Sequence, residues 1–210
     1  LILTTGGTLL LHLGMSGSLR YLTSPSTPLK HDHVDILFAS GELLRFNDPR
    51  RFGSLHYSNQ SESHWLLRNM GPEPLGPNFT GNYLWNVSRD RRVGIKQLLM
   101  NSRIVAGIGN IYANESLFKA GIHPVRSAKR ISLKRITRLV EEAQQVLNAA
   151  IQQGGTTLQD FVGSDGRPGY FQLALSVYGK EGQPCPRCNE YIKVRSISQR
   201  ATYYCSNCQR

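Results

Sequence analysis

Cysteine is scarce in this chain and confined to one end. The 210 residues contain 4 Cys, all of them in the segment from Cys185 to Arg210. The bulk of the chain therefore has no disulfide framework, and paired Cys in a chain without a secretory signal read as metal ligands before disulfides. Long apolar runs are absent too. No stretch approaches the roughly 18 residues of a membrane-spanning helix. The apolar start at Leu1 has no basic segment before it to make it a secretory signal. A cytoplasmic protein with no membrane association is the expectation. Internal repeats and low-complexity tracts are missing, which excludes a solenoid or an array.

Acidic residues are the other shortage. Asp and Glu number 14 against 25 Lys and Arg, a net charge of +11, and the sequence pI is 9.8. The deficit is local. Residues 1–90 carry 7 basic and 7 acidic residues, whereas 91–210 carry 18 and 7. A basic half of this kind fits a polyanionic partner, nucleic acid above all, docking there or where the halves meet.

Hydrophobic residues make up 40% of the chain, enough for a core. Residues 1–57 read as β-structure. LILTTGGTLLLHL (1–13) predicts two strands about a Gly6-Gly7 turn, and VDILF (34–38) with ELLRF (42–46) predicts a second hairpin about Ser40-Gly41. Asp35, out of phase with Val34 and Ile36, predicts a sheet with one wet face. GPEPLGPNFTG (71–81) reads as a linker. Beyond it, IKQLLM (95–100) and NIYANESLFKAG (110–121) read as helices joined by the glycine-bearing IVAGIG. Asn110 is the expected cap of the second, with Ile111, Leu117 and Phe118 on its buried stripe. The longest helix is predicted from about Ser132 to Gln153, its apolar stripe running from Leu133 to Ile151. TTLQDFVGSDGRPGYF (156–171) reads as a loop.

The strongest local signal is Cys185-Pro-Arg-Cys188 followed, after 16 intervening residues, by Cys205-Ser-Asn-Cys208. Two residues between thiolates in a tight turn let both face one tetrahedral ion, and two such turns complete its shell. Four cysteine ligands leave no open position, so one structural Zn²⁺ is expected, and a hairpin this small needs the metal to fold. The turn Ser198-Gln199-Arg200 lies at the far end, placed to meet a ligand.

With these motifs in order the chain resembles the formamidopyrimidine-DNA glycosylases. The resemblance covers essentially the whole sequence through HLGMSGSLR (12–20), KHDH (30–33), DPRRFG (48–53), GPEPL (71–75), GIGNIYANESLFKAGIHP (107–124), GGTTLQDF (154–161), PGYF (168–171), VYG (177–179) and QRATYYCSNCQ (199–209). It implies an α+β multidomain fold: a partial β-sandwich over 1–70, a linker over 71–90, a helix–two-turn–helix domain with a lesion-capping loop over 91–171, and a zinc-finger hairpin over 172–210. It implies excision of oxidised purines from duplex DNA by glycosylase and strand-cleaving lyase chemistry, with damaged double-stranded DNA as partner and a monomer as the working form.

The same resemblance assigns residues. An enzyme acting on a stacked base must flip it out and fill the hole. Met15, Arg50 and Phe52 match the residues that do so. Lys96 and Asn110 match phosphate ligands, Arg91 and His31 further DNA contacts, and Tyr170 the loop that closes over the flipped base. Gln159 stands where some members have Lys. Arg200 matches the family's lesion-phosphate Arg, implicated in strand cleavage. Taken singly, Met15 reads as a packed strand residue, Arg50-Arg51 as a surface turn and Asn110 as a helix cap. His31 and His33 lack a third ligand of matching spacing for a metal.

The family's nucleophilic N-terminal Pro, its adjacent Glu and a Lys before the HLGMSG motif have no counterpart here, for the sequence opens Leu1-Ile2-Leu3. The 210 residues alone are therefore expected to bind and not cleave. A non-catalytic damaged-DNA binder and the sister endonuclease for oxidised pyrimidines are the alternatives. A zinc ribbon for protein contacts explains the cysteines but not the charge.

Overall fold

The computed structural model describes residues 1–4, 6–60, 63–152 and 175–210. Two compact units emerge, and the described parts of each are residues up to 68 and from 69 onward.

The first unit is antiparallel β-structure. β1 (Thr8–His12) pairs with β5 (Ser54–Ser58), and β4 (Leu43–Asn47) lies between β2 (Ser18–Leu22) and β3 (Asp32–Leu37). The expected first strand is reduced to a bridge between Ile2 and Thr8. The second predicted hairpin forms as read, with Gly41 in the left-handed turn position at φ 99°. The wet face expected around Asp35 is only partly wet. Cross-strand register sets Arg45 opposite Arg20 and Asp35. Arg45 is buried, with a bidentate bond to Asp35 at 2.7 Å and further bonds to Ser26 and the Thr27 carbonyl. A buried guanidinium needs its donors answered, and the 26–27 loop folds over this face to answer them.

The second unit is helical, with a two-stranded appendage. α1 (Gly81–Ser88) is capped by Thr80, whose side chain accepts from the Tyr83 N–H at 3.1 Å. α2 (Ile95–Leu99), α3 (Asn110–Lys119) and α4 (Leu133–Gln152) follow. The segment 71–90, expected as a linker, holds α1 and is fastened to this unit. Gly71 N–H donates to the Ser102 carbonyl at 2.7 Å, Ala106 N–H to the Pro72 carbonyl at 3.0 Å, and Phe79 is fully buried. Gly81 is needed at its position because a Cβ there would meet Thr137 Oγ1 at 2.3 Å, so α1 approaches α4 as closely as backbone allows.

The core joins Leu84, Ile95, Leu98, Leu99, Leu117, Ile136, Leu139 and Val140. On α4 the predicted stripe is buried from Ile136 to Ala150, but Leu133 and Ile151 at its ends are exposed. α3 departs from the single-stripe expectation. Residues Ala113 through Phe118 are all buried while Ile111 is only half-buried. The reason is that α3 packs against α4 on one side and the C-terminal hairpin on the other. That hairpin is β6 (Lys193–Ile197) and β7 (Arg200–Tyr204).

Candidate nucleic-acid interface

The two Cys-x-x-Cys turns converge. All four sulfurs lie within 4.8 Å of one another. Cys185 Sγ is 3.9 Å from Cys208 Sγ, and Cys188 Sγ is 3.5 Å from Cys205 Sγ. Thiolates placed tetrahedrally at zinc distance are about 3.8 Å apart, so the set fits the metal. The main chain is arranged for thiolates: Arg187 N–H points at Cys185 Sγ at 3.4 Å and Cys208 N–H at Cys205 Sγ at 3.5 Å. Burial, and then the neighbouring thiols, push the Cys208 thiol up to about 12. A cation at the centre reverses that preference. The four cysteines hold one structural Zn²⁺. Cys185 and Cys205 are fully buried with Phe118, Val177 and Ile192 in a small second core, so α3 lends its Phe118 to the metal site.

At the other end of the hairpin, Ser198 (φ 48°) and Gln199 (φ 60°) form a two-residue turn with both central residues left-handed. This geometry matches the twist of paired strands but favours Asn and Gly. Arg200 opens β7 and is exposed. The helices hold the strand behind it. Lys96 Nζ donates to the Ala201 carbonyl at 3.0 Å and to Thr202 Oγ1 at 2.7 Å. Asn110 Nδ2 donates to the same Ala201 carbonyl at 3.1 Å. Gln97 Nε2 donates to Ser198 Oγ at 2.5 Å. Burial, and then the Arg200 charge, lower the Lys96 ammonium to about 8. Lys96, Gln97, Met100, Asn101, Ile197, Ser198 and Arg200 line a half-open cleft of about 240 Å³.

Lys96, Asn110 and Arg200, distant in sequence, are thus brought together. Two of them spend donors on the hairpin. Asn110 is not the cap of α3: Gly109 occupies that position and Asn110 is the first helical residue, which frees its amide for β7.

In the first unit the HLGMSG and DPRRFG motifs form two abutting turns. Gly14 is left-handed (φ 65°), and a Cβ on it would meet the Phe52 carbonyl carbon at 2.7 Å. The buried Asp48 carboxylate accepts from Gly53 N–H at 2.7 Å, Ser16 Oγ–H at 3.1 Å and Arg50 N–H at 3.3 Å. These bonds, led by the one from Gly53, hold its carboxyl below the usual range. Arg50 Nε donates to Ser16 Oγ at 3.1 Å, joining the turns. The result presents two large apolar side chains to solvent, Met15 at 60% and Phe52 at 62% exposure. Among the described residues Met15 is not packed as a core side chain, and Arg50 sits in the surface turn that its neighbours imply.

His31 is half-buried and gives its carbonyl to Asp48 N–H at 3.0 Å. His33 Nε2 lies 2.9 Å from the Asp48 carbonyl. Arg91 is exposed, its Nε on the Val87 carbonyl at 3.1 Å. Tyr170 and Gln159 lie outside the described residues.

Sequence reasoning missed the residues that dock the hairpin. Buried Asn114 donates to the Asn110 carbonyl at 2.7 Å and accepts from Tyr203 N–H at 2.8 Å. Buried Glu115 accepts from the Ser176, Val177 and Tyr178 N–H groups at 2.8, 2.9 and 2.9 Å. A signal did exist: Asn114 and Glu115 are polar residues beside the expected stripe of α3, where a second buried face would put them.

A four-thiolate zinc hairpin docked on a helical bundle, with a lysine, an asparagine and an arginine at its tip, defines a class of zinc-finger DNA-binding proteins. Comparison with known proteins narrows the class. Residues 1–55 match the formamidopyrimidine-DNA glycosylase N-terminal domain, 70–162 its H2TH domain, and 182–210 the zinc finger found in FPG and IleRS. The chain is 54% identical to the formamidopyrimidine-DNA glycosylase of Alkalilimnicola ehrlichii, over 99% of this chain and 77% of that one. It is 55% identical to that of Nitrosococcus oceani, over 100% and 78%. Among solved structures, the MutM (Fpg) protein of Thermus thermophilus aligns with a TM-score of 0.87 and 36% identity, over 98% of this chain and 77% of that one. Lactococcus lactis Fpg, in complex with DNA containing an abasic site, aligns with a TM-score of 0.85 and 34% identity, over 96% and 74%. The chain belongs to the formamidopyrimidine-DNA glycosylase family, DNA glycosylases of base-excision repair.

Proposed function

We propose that this protein serves the excision of oxidised purines, formamidopyrimidine and 8-oxoguanine, from duplex DNA by glycosylase and abasic-site lyase chemistry through a Schiff base. The observation that carries the reading is the exposed Arg200 on a braced hairpin tip, beside the buried ammonium of Lys96. Arg200 is read as the ligand of the lesion phosphates and a participant in strand cleavage. Lys96 and Asn110 brace β7 and offer remaining donors to flanking phosphates, while His31 and Arg91 add backbone contacts. Met15 fills the space left by the flipped base, Phe52 wedges beside the orphan base and Arg50 hydrogen-bonds to it. Two apolar side chains held out in solvent by a buried carboxylate are hard to explain as packing and suit a wedge. Tyr170 belongs to the loop assigned to the flipped base. By function the parts divide at 1–70, 71–90, 91–171 and 172–210, in a monomer working in the bacterial cytoplasm.

The nucleophile of the family is an N-terminal Pro amine with an adjacent Glu and a downstream Lys, which the 210 residues do not supply. A polypeptide of these residues alone is therefore predicted to bind a duplex with an 8-oxoguanine·cytosine pair without cleaving it. Borohydride trapping tests this, and a robust covalent adduct would overturn it. Specificity is tested by affinity for that duplex against one carrying thymine glycol. Tighter binding to thymine glycol transfers the assignment to the sister endonuclease, and equal binding to undamaged DNA removes the repair assignment.

A further inference from the structure

Arg200 has no hydrogen-bond partner for its guanidinium among the described residues and is exposed. Its direction is therefore set by the backbone it stands on. That backbone leaves a turn whose two central residues, Ser198 and Gln199, are both left-handed and neither glycine. Such a turn persists only when its surroundings over-determine it. On the β7 side the determinants are the Lys96 and Asn110 bonds to Ala201 and Thr202. On the turn itself, among the described residues, there is one bond to the helical body, from Gln97 to Ser198 Oγ.

Gln97 is itself held at both ends. Its Oε1 accepts from Gly94 N–H at 3.2 Å, closing the first turn of α2, while its Nε2 reaches Ser198. A carboxamide can accept and donate at once, so one planar group ties the start of α2 to the left-handed turn. Gln97 also lines the cleft with Lys96 and Arg200.

We infer that Gln97 is a positioning residue for Arg200: through Ser198 it fixes the hairpin turn from which Arg200 meets a DNA phosphate. This rests on the reading of Arg200 as a phosphate ligand. Removing Gln97 leaves Arg200 present but its backbone free to leave the left-handed turn. Affinity falls although no charge is lost from the protein, and the salt slope shrinks only as far as Arg200 leaves its phosphate, by at most ~0.9.

The test is the affinity of the zinc-loaded protein for a duplex with a stable tetrahydrofuran abasic-site analogue, read by fluorescence anisotropy. Gln97→Met is expected to weaken binding about three- to tenfold, the worth of one hydrogen bond. Ser198→Ala, which cuts the same bond from the other end and leaves the Gly94 contact intact, is expected to match it. Two further backgrounds separate positioning from general damage. Adding Ser198→Gly, which adopts the left-handed turn without strain, should restore the binding lost by Gln97→Met. In an Arg200→Ala background Gln97→Met should cost nothing more. An equal loss in the Arg200→Ala background, or no rescue by glycine, overturns the inference. If Arg200→Ala weakens binding and Gln97→Met does not, the inference fails while the phosphate reading stands. If Arg200→Ala binds like the parent, the phosphate reading fails and the inference with it.

Discussion

A lysine ammonium with almost no solvent exposure is costly unless its protons are used, and Lys96 uses them on a carbonyl and a hydroxyl. The cost shows in its lowering to about 8. Below that pH Lys96 is charged and adds to the cationic tip. Above it the charge fades while the unfolded chain still holds its proton up to the ordinary lysine range, so folding stability rises with pH as DNA binding weakens. Between pH 7 and 9 the slope of log K against log salt should therefore shrink by up to ~0.9, one phosphate contact's worth. Lys96→Gln should show the smaller slope at both pH values; a slope indifferent to pH in the parent protein would mean that Lys96 meets no phosphate. Asp48 works with the opposite sign. Its carboxyl is held low by the Gly53 N–H above all, so its contribution is full above the ordinary carboxyl range and lost as pH falls through the lowered value. Asp48→Asn is expected to loosen the turn that presents Arg50 and Phe52, and to flatten the acid limb of the unfolding profile below about pH 4.

At the scale of elements, α3 carries the hairpin. Glu115 accepts three N–H groups from 176–178 and Asn114 one from β7. Bonds to a buried carboxylate are among the stronger ones. Glu115→Gln should cost about 1–3 kcal/mol in denaturant unfolding, because one amide end then faces N–H groups that need an acceptor. Stripping zinc with a chelator should release the knuckles that share Phe118 with α3. DNA binding is then expected to vanish while α4 keeps its helical signal in circular dichroism; a zinc-free sample of unchanged affinity would refute the dependence. These elements also show what the sequence displays. The Cys spacing and the α4 stripe are periodic, local signals, and both survive folding. The docking of the hairpin is not local. Asn110 looks like a cap and is instead a clamp, since whether an amide turns to its own helix or to a strand ninety-odd residues on depends on tertiary neighbours. The 71–81 segment reads as a linker from its Pro and Gly, yet those residues serve close backbone approach, as Gly71 shows against Ile104.

For the whole molecule, the +11 charge lies entirely in residues 91–210, while the apolar pair Met15 and Phe52 lies in the other unit. On the proposed reading the two units divide the work: one supplies charge that attracts any duplex, the other a shape that suits a duplex with a base removed. Substitutions should separate accordingly. Met15→Ala with Phe52→Ala is expected to reduce the preference for an abasic-site duplex over an intact one and leave the salt slope alone. Arg200→Ala should lower affinity for both and reduce the slope by ~0.9. A competition titration at two salt concentrations checks both. If the wedge pair changed the salt slope, the division would be wrong.

The clamp on β7 has an evolutionary consequence. Lys96 and Asn110 both close on the carbonyl oxygen of Ala201, an atom that every amino acid possesses. Position 201 can therefore drift through many side chains without loosening the grip, while 96 and 110 cannot. The mutational tolerance of the hairpin is thus set largely from outside it, by two residues on the helices, and variation near the hairpin tip need not disturb its placement.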